Sequence, residues 1–244
     1  MYCAGFARTG YAPGKTPPVF AGRTDPQSPT LTQVNPAPYN SEIMTYILAR
    51  PPVTAIRCGK EINMHDPVTL WHGEHLRFAQ LLDFLAQQMA VFHSGEHPNY
   101  ELMRDAVYYL HHFADRFHHP REDVAFARMA ARDSALQLTI NRLLQEHRVI
   151  NVAGDALLKH LEDILEDTVI ERSAVEAAAG TYLVYYRHHL ATEEADILPL
   201  AAELLTPDDW AAVAAAIPPG PDPLFGDDIA ARYRDLRRQI LREA

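Results

Sequence analysis

LWHGEHLRFAQLLDFL, residues 70–85, spaces its apolar side chains at intervals of three and four, the period of an amphipathic helix, and sets a Glu-His pair, Glu74-His75, inside the apolar run. A second stretch of the same build, LLQEHRVINVAGDALL at 143–158, carries Glu146-His147. Further along from each pair comes HxxxE: His118 with Glu122, and His189 with Glu193. The same set of potential ligands therefore occurs twice, once in each half of a helical region, and the doubling points to a site for two metal ions.

The spacing has a geometric meaning. Residues four apart on a helix share a face, with Cβ atoms roughly 6 Å apart, so an imidazole and a carboxylate at that spacing close on one cation. His75 and His147 sit mid-segment and present their rings to a helical interior. Four helices supplying His75, His118 with Glu122, His147, and His189 with Glu193 give four nitrogens and two carboxylates able to bridge. The competing reading is that the chain is simply rich in His, with 13, and that His/Glu pairs at this spacing also form on solvated helix faces. Two such pairs in step with two Glu-His pairs favour the metal.

Outward from these segments the chain is helical throughout. Asp66-Pro67 opens a helix to about Phe92, with the stripe Leu70, Trp71, His75, Phe78, Leu82, Leu85 and Met89 facing inward. A second helix begins after Pro98-Asn99 and passes His111 and His118, and Pro120 is expected to break or kink it. Ser134 with Gln137 reads as a capping box opening a third helix to about Asp167, and Ser173 with Glu176 as one opening a fourth, which Pro199 bends or ends. Thr206 caps a short helix to about Ala216, and a polar helix from about Asp228 to Arg242 closes the chain. The expected organisation is a Pro-rich, aperiodic extension over 1–63 that buries little, a helical domain over 64–205, and a helical tail over 206–244 packed on or near it. A short helix or strand fits Glu42 to Leu48, and a chain starting at Met64 is expected to fold and bind metal.

The bulk numbers exclude several classes. A formal net charge of −10 and no basic stripe argue against nucleic acid. No apolar stretch approaches the ~20 residues needed to span a bilayer, and the N-terminus lacks a secretory leader pattern. Cys3 and Cys58 both precede the helical region, so neither a disulfide framework nor a thiolate site is expected there. A reducing cytoplasm fits.

The runs WHGEH (71–75), RFHHPRED (116–123), LLQEHR (143–148) and YRHHLATEE (186–194) together resemble the hemerythrin-like family of HHE cation-binding domains over roughly 64–205. The resemblance implies an all-α, antiparallel up-down four-helix bundle, here with short C-terminal helices and the Pro-rich extension. It also implies a non-heme centre of two iron ions (Fe2+/Fe3+) with a bridging oxo or hydroxo. His75, His118, His147 and His189 are then the nitrogen ligands, and Glu122 and Glu193 the bridging carboxylates. Two departures stand out. Oxygen-carrying members have HxxxH on the third helix, where this chain has Asn151 four residues after His147. They also place the last carboxylate five residues after the fourth-helix His, which here is Glu194. One nitrogen is missing, and His72 or His111 is the candidate for a fifth ring.

Other neighbours are expected to matter less. His93 lies about 27 Å along the helix axis from His75. His119 and His188 are rotated about 100° from their neighbours and face solvent or the next helix. Tyr182 and Tyr185 lie on the face of His189; they are expected first as buried core rings, and either is a candidate to hydrogen-bond a bound ligand. Asp123 and Glu194 are expected to contribute little to metal retention, although Glu194 is also a candidate additional ligand or supporting group. Imidazole and carboxylate without thiolate suit iron, with manganese or zinc the lesser alternatives. The expected function is binding or sensing of a small diatomic ligand, dioxygen or nitric oxide, or of redox state. An oxidase, a peroxidase or a repair protein for nitrosatively damaged iron centres is the alternative. No acid/base motif for turnover is visible, and no protein partner can be named.

Overall fold

The computed structural model describes residues 66–218 and 220–243, which are helical or loop with no strand among them. The extension assigned to 1–63, the segment 42–48, Cys3, Cys58 and a start at Met64 lie outside the described residues.

Helix α1 spans Pro67–His93. Asp66 caps it by accepting from the Thr69 N–H at 3.1 Å, and Pro67 presets the first helical φ. At its other end Gly95 takes φ 85°. That left-handed turn lets the Gly95 and Glu96 N–H groups return to the carbonyls of Phe92 and Val91, at 3.1 and 3.2 Å, satisfying acceptors the helix leaves open.

Helix α2, Tyr100–Tyr109, is capped by the Asn99 side chain. The interruption expected at Pro120 is not a gap between helices. The chain passes instead into a π-helical stretch, Leu110–His118, and on into α3, His119–Arg132. The His119 N–H bonds to the Ala114 carbonyl five residues back. Pro120 thus falls where the hydrogen-bond register changes, and its missing donor and bulky ring meet a turn already widened. The fourth helical segment repeats the device. Helix α5, Arg172–Thr192, leads into a π turn, Glu193–Ile197, and then into α6, Leu198–Leu204, with Pro199 as its second residue.

Two expected capping boxes are not made. Helix α4, Gln137–Leu165, follows a 3-10 turn, Ser134–Leu136, whose cap is Asp133, accepting from the Ala135 N–H at 2.9 Å. Asp133 takes the cap because it sits one residue before Ser134, which is itself the first residue of the turn. Ser173 lies inside the first turn of α5, whose cap position is Glu171, while Glu176 is occupied by Arg172 and His93, each at 3.1 Å. The Thr206–Asp209 box on α7, Pro207–Ala216, forms as expected. The last helix, α8, spans Arg234–Glu243 after a 3-10 turn, Ala231–Tyr233. It starts later than expected: Asp222 organises a turn by accepting from the N–H groups of Leu224 and Phe225, the Ala230 N–H returns to the Pro223 carbonyl at 2.9 Å, and the 3-10 turn follows.

Helix α1 packs on α2 and α5, and α4 packs on the same two. Helix α7 lies on α3, where Trp210 meets Trp71 edge-on at 5.2 Å and Asp209 pairs with Arg128 and Arg132. Helix α8 lies on α1 and α2 and buries Tyr233, Leu236 and Ile240 at its seam. The interior divides into two apolar clusters. One gathers Phe78, Leu82, Tyr109, Ile150, Tyr182 and Tyr186, and the other Trp71, Phe126, Leu143, Ile197 and Leu198. Each of α1, α3, α4 and the α5–α6 segment contributes to the smaller cluster or borders it, and the buried His and Glu side chains fall between the two. Leu70, placed on the inward stripe by periodicity, is 51% exposed; Trp71 takes the inward position. No helix among the described residues is long and apolar enough to cross a membrane.

Candidate metal centre

His75, His118, Glu122, His147, His189 and Glu193 are all brought together, each less than a tenth exposed. The rings pair by Nε2: His75 with His118 at 2.8 Å, and His147 with His189 at 3.0 Å. The two carboxylates span the pairs. Glu122 sets Oε1 at 2.9 Å from His118 Nε2 and 3.3 Å from His75 Nε2, and its Oε2 lies 3.5 Å from His147 Nε2. Glu193 does the converse, with Oε1 3.1 Å from His189 Nε2 and Oε2 3.5 Å from His75 Nε2. Both i,i+4 pairs close despite the π stretches beside them.

An outer ring of carboxylates faces the other nitrogens. His118 Nδ1 meets Glu74 at 2.5 Å, His75 Nδ1 meets Glu194 at 2.7 Å and His147 Nδ1 meets Asp123 at 2.9 Å. His189 Nδ1 faces Glu146 at a looser 3.4 Å. Glu74 also takes Arg121 at 2.9 Å. Asp123 and Glu194, expected to contribute little to metal retention, each meet a ring of the cluster at its Nδ1, and contacts of this kind orient metal-binding rings in general. Glu74 and Glu146 were part of the doubled pattern in the sequence, but their task was not legible there.

Electrostatics follow from this crowding. Burial works against ionised Glu74, but His118 and Arg121 outweigh it and hold its carboxyl at about 2. Burial also works against a charged His75, yet Glu122, Glu194 and Glu193 lift it to about 10, and Asp123 and Glu122 do the same for His147. Glu122 is kept well below the usual carboxylate range, against burial, by His118, His147 and His75.

The donor set fits divalent cations. With Nδ1 turned to a carboxylate, each ring offers its Nε2 lone pair inward, and two lone pairs 2.8 or 3.0 Å apart repel unless a proton or metal lies with them. Glu122 Oε2 and both Glu193 oxygens are buried without hydrogen-bond partners, a costly arrangement for carboxylates lacking a cation. Two groups place one donor atom each within 4.8 Å of the others: His75, His118 and Glu122, and His119, Glu122, His147 and His189.

The remaining candidates separate clearly. His72 Nδ1 binds Glu194 at 2.8 Å, so it supports the supporting carboxylate. His111 lies between Asp115 and Asp155, at 2.8 and 3.0 Å, and turns away from the centre. Asn151 donates to Asp115 at 3.1 Å. Tyr182 is buried with an unpartnered hydroxyl. Tyr185 is 41% exposed; its neighbour Tyr186, one residue nearer His189, is the buried ring, also with an unpartnered hydroxyl. Burial pushes both Tyr182 and Tyr186 well above the usual phenol range. His93 pairs with Glu176 far along α1, and His188 reaches Glu146 from a partly exposed position. His119 faces the next helix, stacked on His147 at 4.3 Å. Burial and His147 lower its pKa to about 4, against Asp115.

A family model described as the hemerythrin HHE cation binding domain matches residues 66–201. No curated protein and no solved structure matches the chain.

Proposed function

The chain belongs to the hemerythrin HHE cation-binding family, and from that premise we propose that it is a non-heme di-iron protein binding or sensing a small diatomic ligand, dioxygen or nitric oxide. The scaffold in this reading is an antiparallel up-down four-helix bundle over 66–205. The observation that carries it is the convergence of four His Nε2 atoms on two buried carboxylates, each with oxygens directed to both ring pairs. Six side chains hold the ions: His75, His118, Glu122, His147, His189 and Glu193. Iron supplies reversible redox and affinity for a diatomic ligand.

The chain does the rest. Glu74, Asp123, Glu146 and Glu194 orient the rings and fix which nitrogen faces inward. The apolar clusters above and below exclude bulk water and lower the local dielectric. Tyr182 and Tyr186 stay protonated at neutral pH and offer buried hydroxyl donors in the larger cluster. A cleft of about 400 Å³ beside Asp115, His119, Asp123, His147 and Asn151 gives a small molecule a route from the surface.

Anaerobic loading with ferrous iron tests the reading. Two irons per chain are expected, with near-ultraviolet absorbance of a coupled ferric pair on exposure to air and stoichiometric uptake of nitric oxide. Stoichiometry well below two, or a zinc-filled site that refuses iron, overturns it. Sustained consumption of peroxide or nitric oxide transfers the protein to the enzyme class.

A further inference from the structure

The His missing from the third helix leaves Asn151 with a different task, and the structure brings in another ring. His119 is 4% exposed. Its Nδ1 is held by Asp115 Oδ1 at 2.8 Å, while its Nε2 is buried without a hydrogen-bond partner. The other oxygen of Asp115 accepts from Asn151 Nδ2 at 3.1 Å. His119 thus shares with the other four rings an Nδ1 that faces a carboxylate, but its Nε2 has no partner, whereas theirs face one another and the two spanning carboxylates. Its ring lies nearly parallel to His147, at 4.3 Å and 19°, and edge-on to His189 at 5.4 Å. A donor atom of His119 falls within 4.8 Å of donor atoms from Glu122, His147 and His189.

The helical geometry explains how adjacent residues serve one centre. The α2–α3 segment is packed between α1 and α4, so it has two inward faces. Side chains about 100° apart address one each: His118 meets His75 of α1, and His119 meets His147 of α4.

Resting on the di-iron reading, we propose that His119 is a fifth nitrogen ligand, to the ion shared by His147 and His189, and that Asp115 and Asn151 are its positioning residues. The two halves of the centre are then unequal. The half with His147, His189 and His119 has three nitrogens, and the half with His75 and His118 has two.

The test uses the full chain loaded anaerobically with 57Fe(II), read by chelator competition and by Mössbauer spectra. Wild type is expected to take two irons and show two inequivalent doublets. His119→Ala and the bulkier His119→Gln should bind one iron at least ~10-fold more weakly and alter one doublet while the other is kept. Asp115→Asn should weaken the same iron by less. His119→Gly should regain the lost iron and doublet when free imidazole is added, because the cleft lined by His119 admits it; a merely structural residue shows no such rescue. Two irons with unchanged affinities and doublets in the His119 variants overturn this assignment and leave the di-iron reading standing. Failure of wild type to take two irons overturns both.

Discussion

Replacing Glu74 by Gln isolates one supporting carboxylate without touching a ligand. In the folded protein Glu74 accepts from His118 Nδ1 and from Arg121, and its carboxyl ionises at about 2 rather than near 4.5. That difference corresponds to about 3 kcal/mol of stabilisation at neutral pH. The sign is that of a depressed acid: the stabilisation is complete above 4.5, lost as pH falls through about 2, and roughly halved by pH 3. The amide keeps one acceptor, so metal-free Glu74→Gln should be about 2–3 kcal/mol less stable at pH 7, melting about 4–10 °C lower. The gap should narrow by about half at pH 3. Urea unfolding of the metal-free protein at both pH values, followed by circular dichroism, measures it. With metal, affinity should fall about 10–100-fold, since His118 loses the partner that orients it. Equal stabilities at pH 7, or a deficit that stays constant down to pH 3, refute the argument.

Metal loading at pH 7 should release at least two protons per chain, because His75 and His147, at about 10 when metal-free, must deprotonate to bind, and their carboxylate neighbours raise His118 and His189 as well. Calorimetry in buffers of different ionisation enthalpy counts them, and no net release contradicts the assignment. The same raised values mean that what these rings add to metal-free stability is complete below 6.5 and lost as pH rises through about 10. Tyr186→Phe removes a buried, unpartnered hydroxyl and should leave metal-free stability unchanged or up to ~1 kcal/mol higher, whereas Tyr109→Phe loses a bond to Asp222 and should cost ~1–2 kcal/mol. Equal losses in urea unfolding contradict the distinction. Gly154→Ala sets a Cβ 3.0 Å from Tyr182 Cε2, and overpacking of ~1–3 kcal/mol should outweigh the ~1 kcal/mol gained in helix propensity. A more stable variant by thermal melting refutes it.

The helical character, the segment order and the convergence of four His and two Glu were legible because they depend on period and on spacing within one helix. What escaped depends on helix rotation and on neighbours. His119 is turned from His118, which places it off the centre only if the segment has one inward face; a segment packed on both sides has two. Tyr185 and Tyr186 both flank the face of His189, and only packing decides which is buried. The interruption expected at Pro120 takes the form of a π stretch, which leaves no compositional mark. Ser134 lost its capping role to Asp133, a competition between adjacent residues that pattern alone does not resolve.

The anchoring of the rings is crossed between the two halves of the domain. Glu74 and Glu146 steady rings of their own halves, but His75 is held by Glu194, 119 residues away, and His147 by Asp123 of the first half. During synthesis the first hairpin therefore emerges with His75 unanchored and with only one of the two spanning carboxylates, Glu122. A half-made chain carries one three-donor group, His75, His118 and Glu122, but neither Glu193 nor the Glu194 anchor. Tight metal capture should appear only after the two hairpins dock, so the appearance of bound metal serves as a clock for that last, longest-range step of folding.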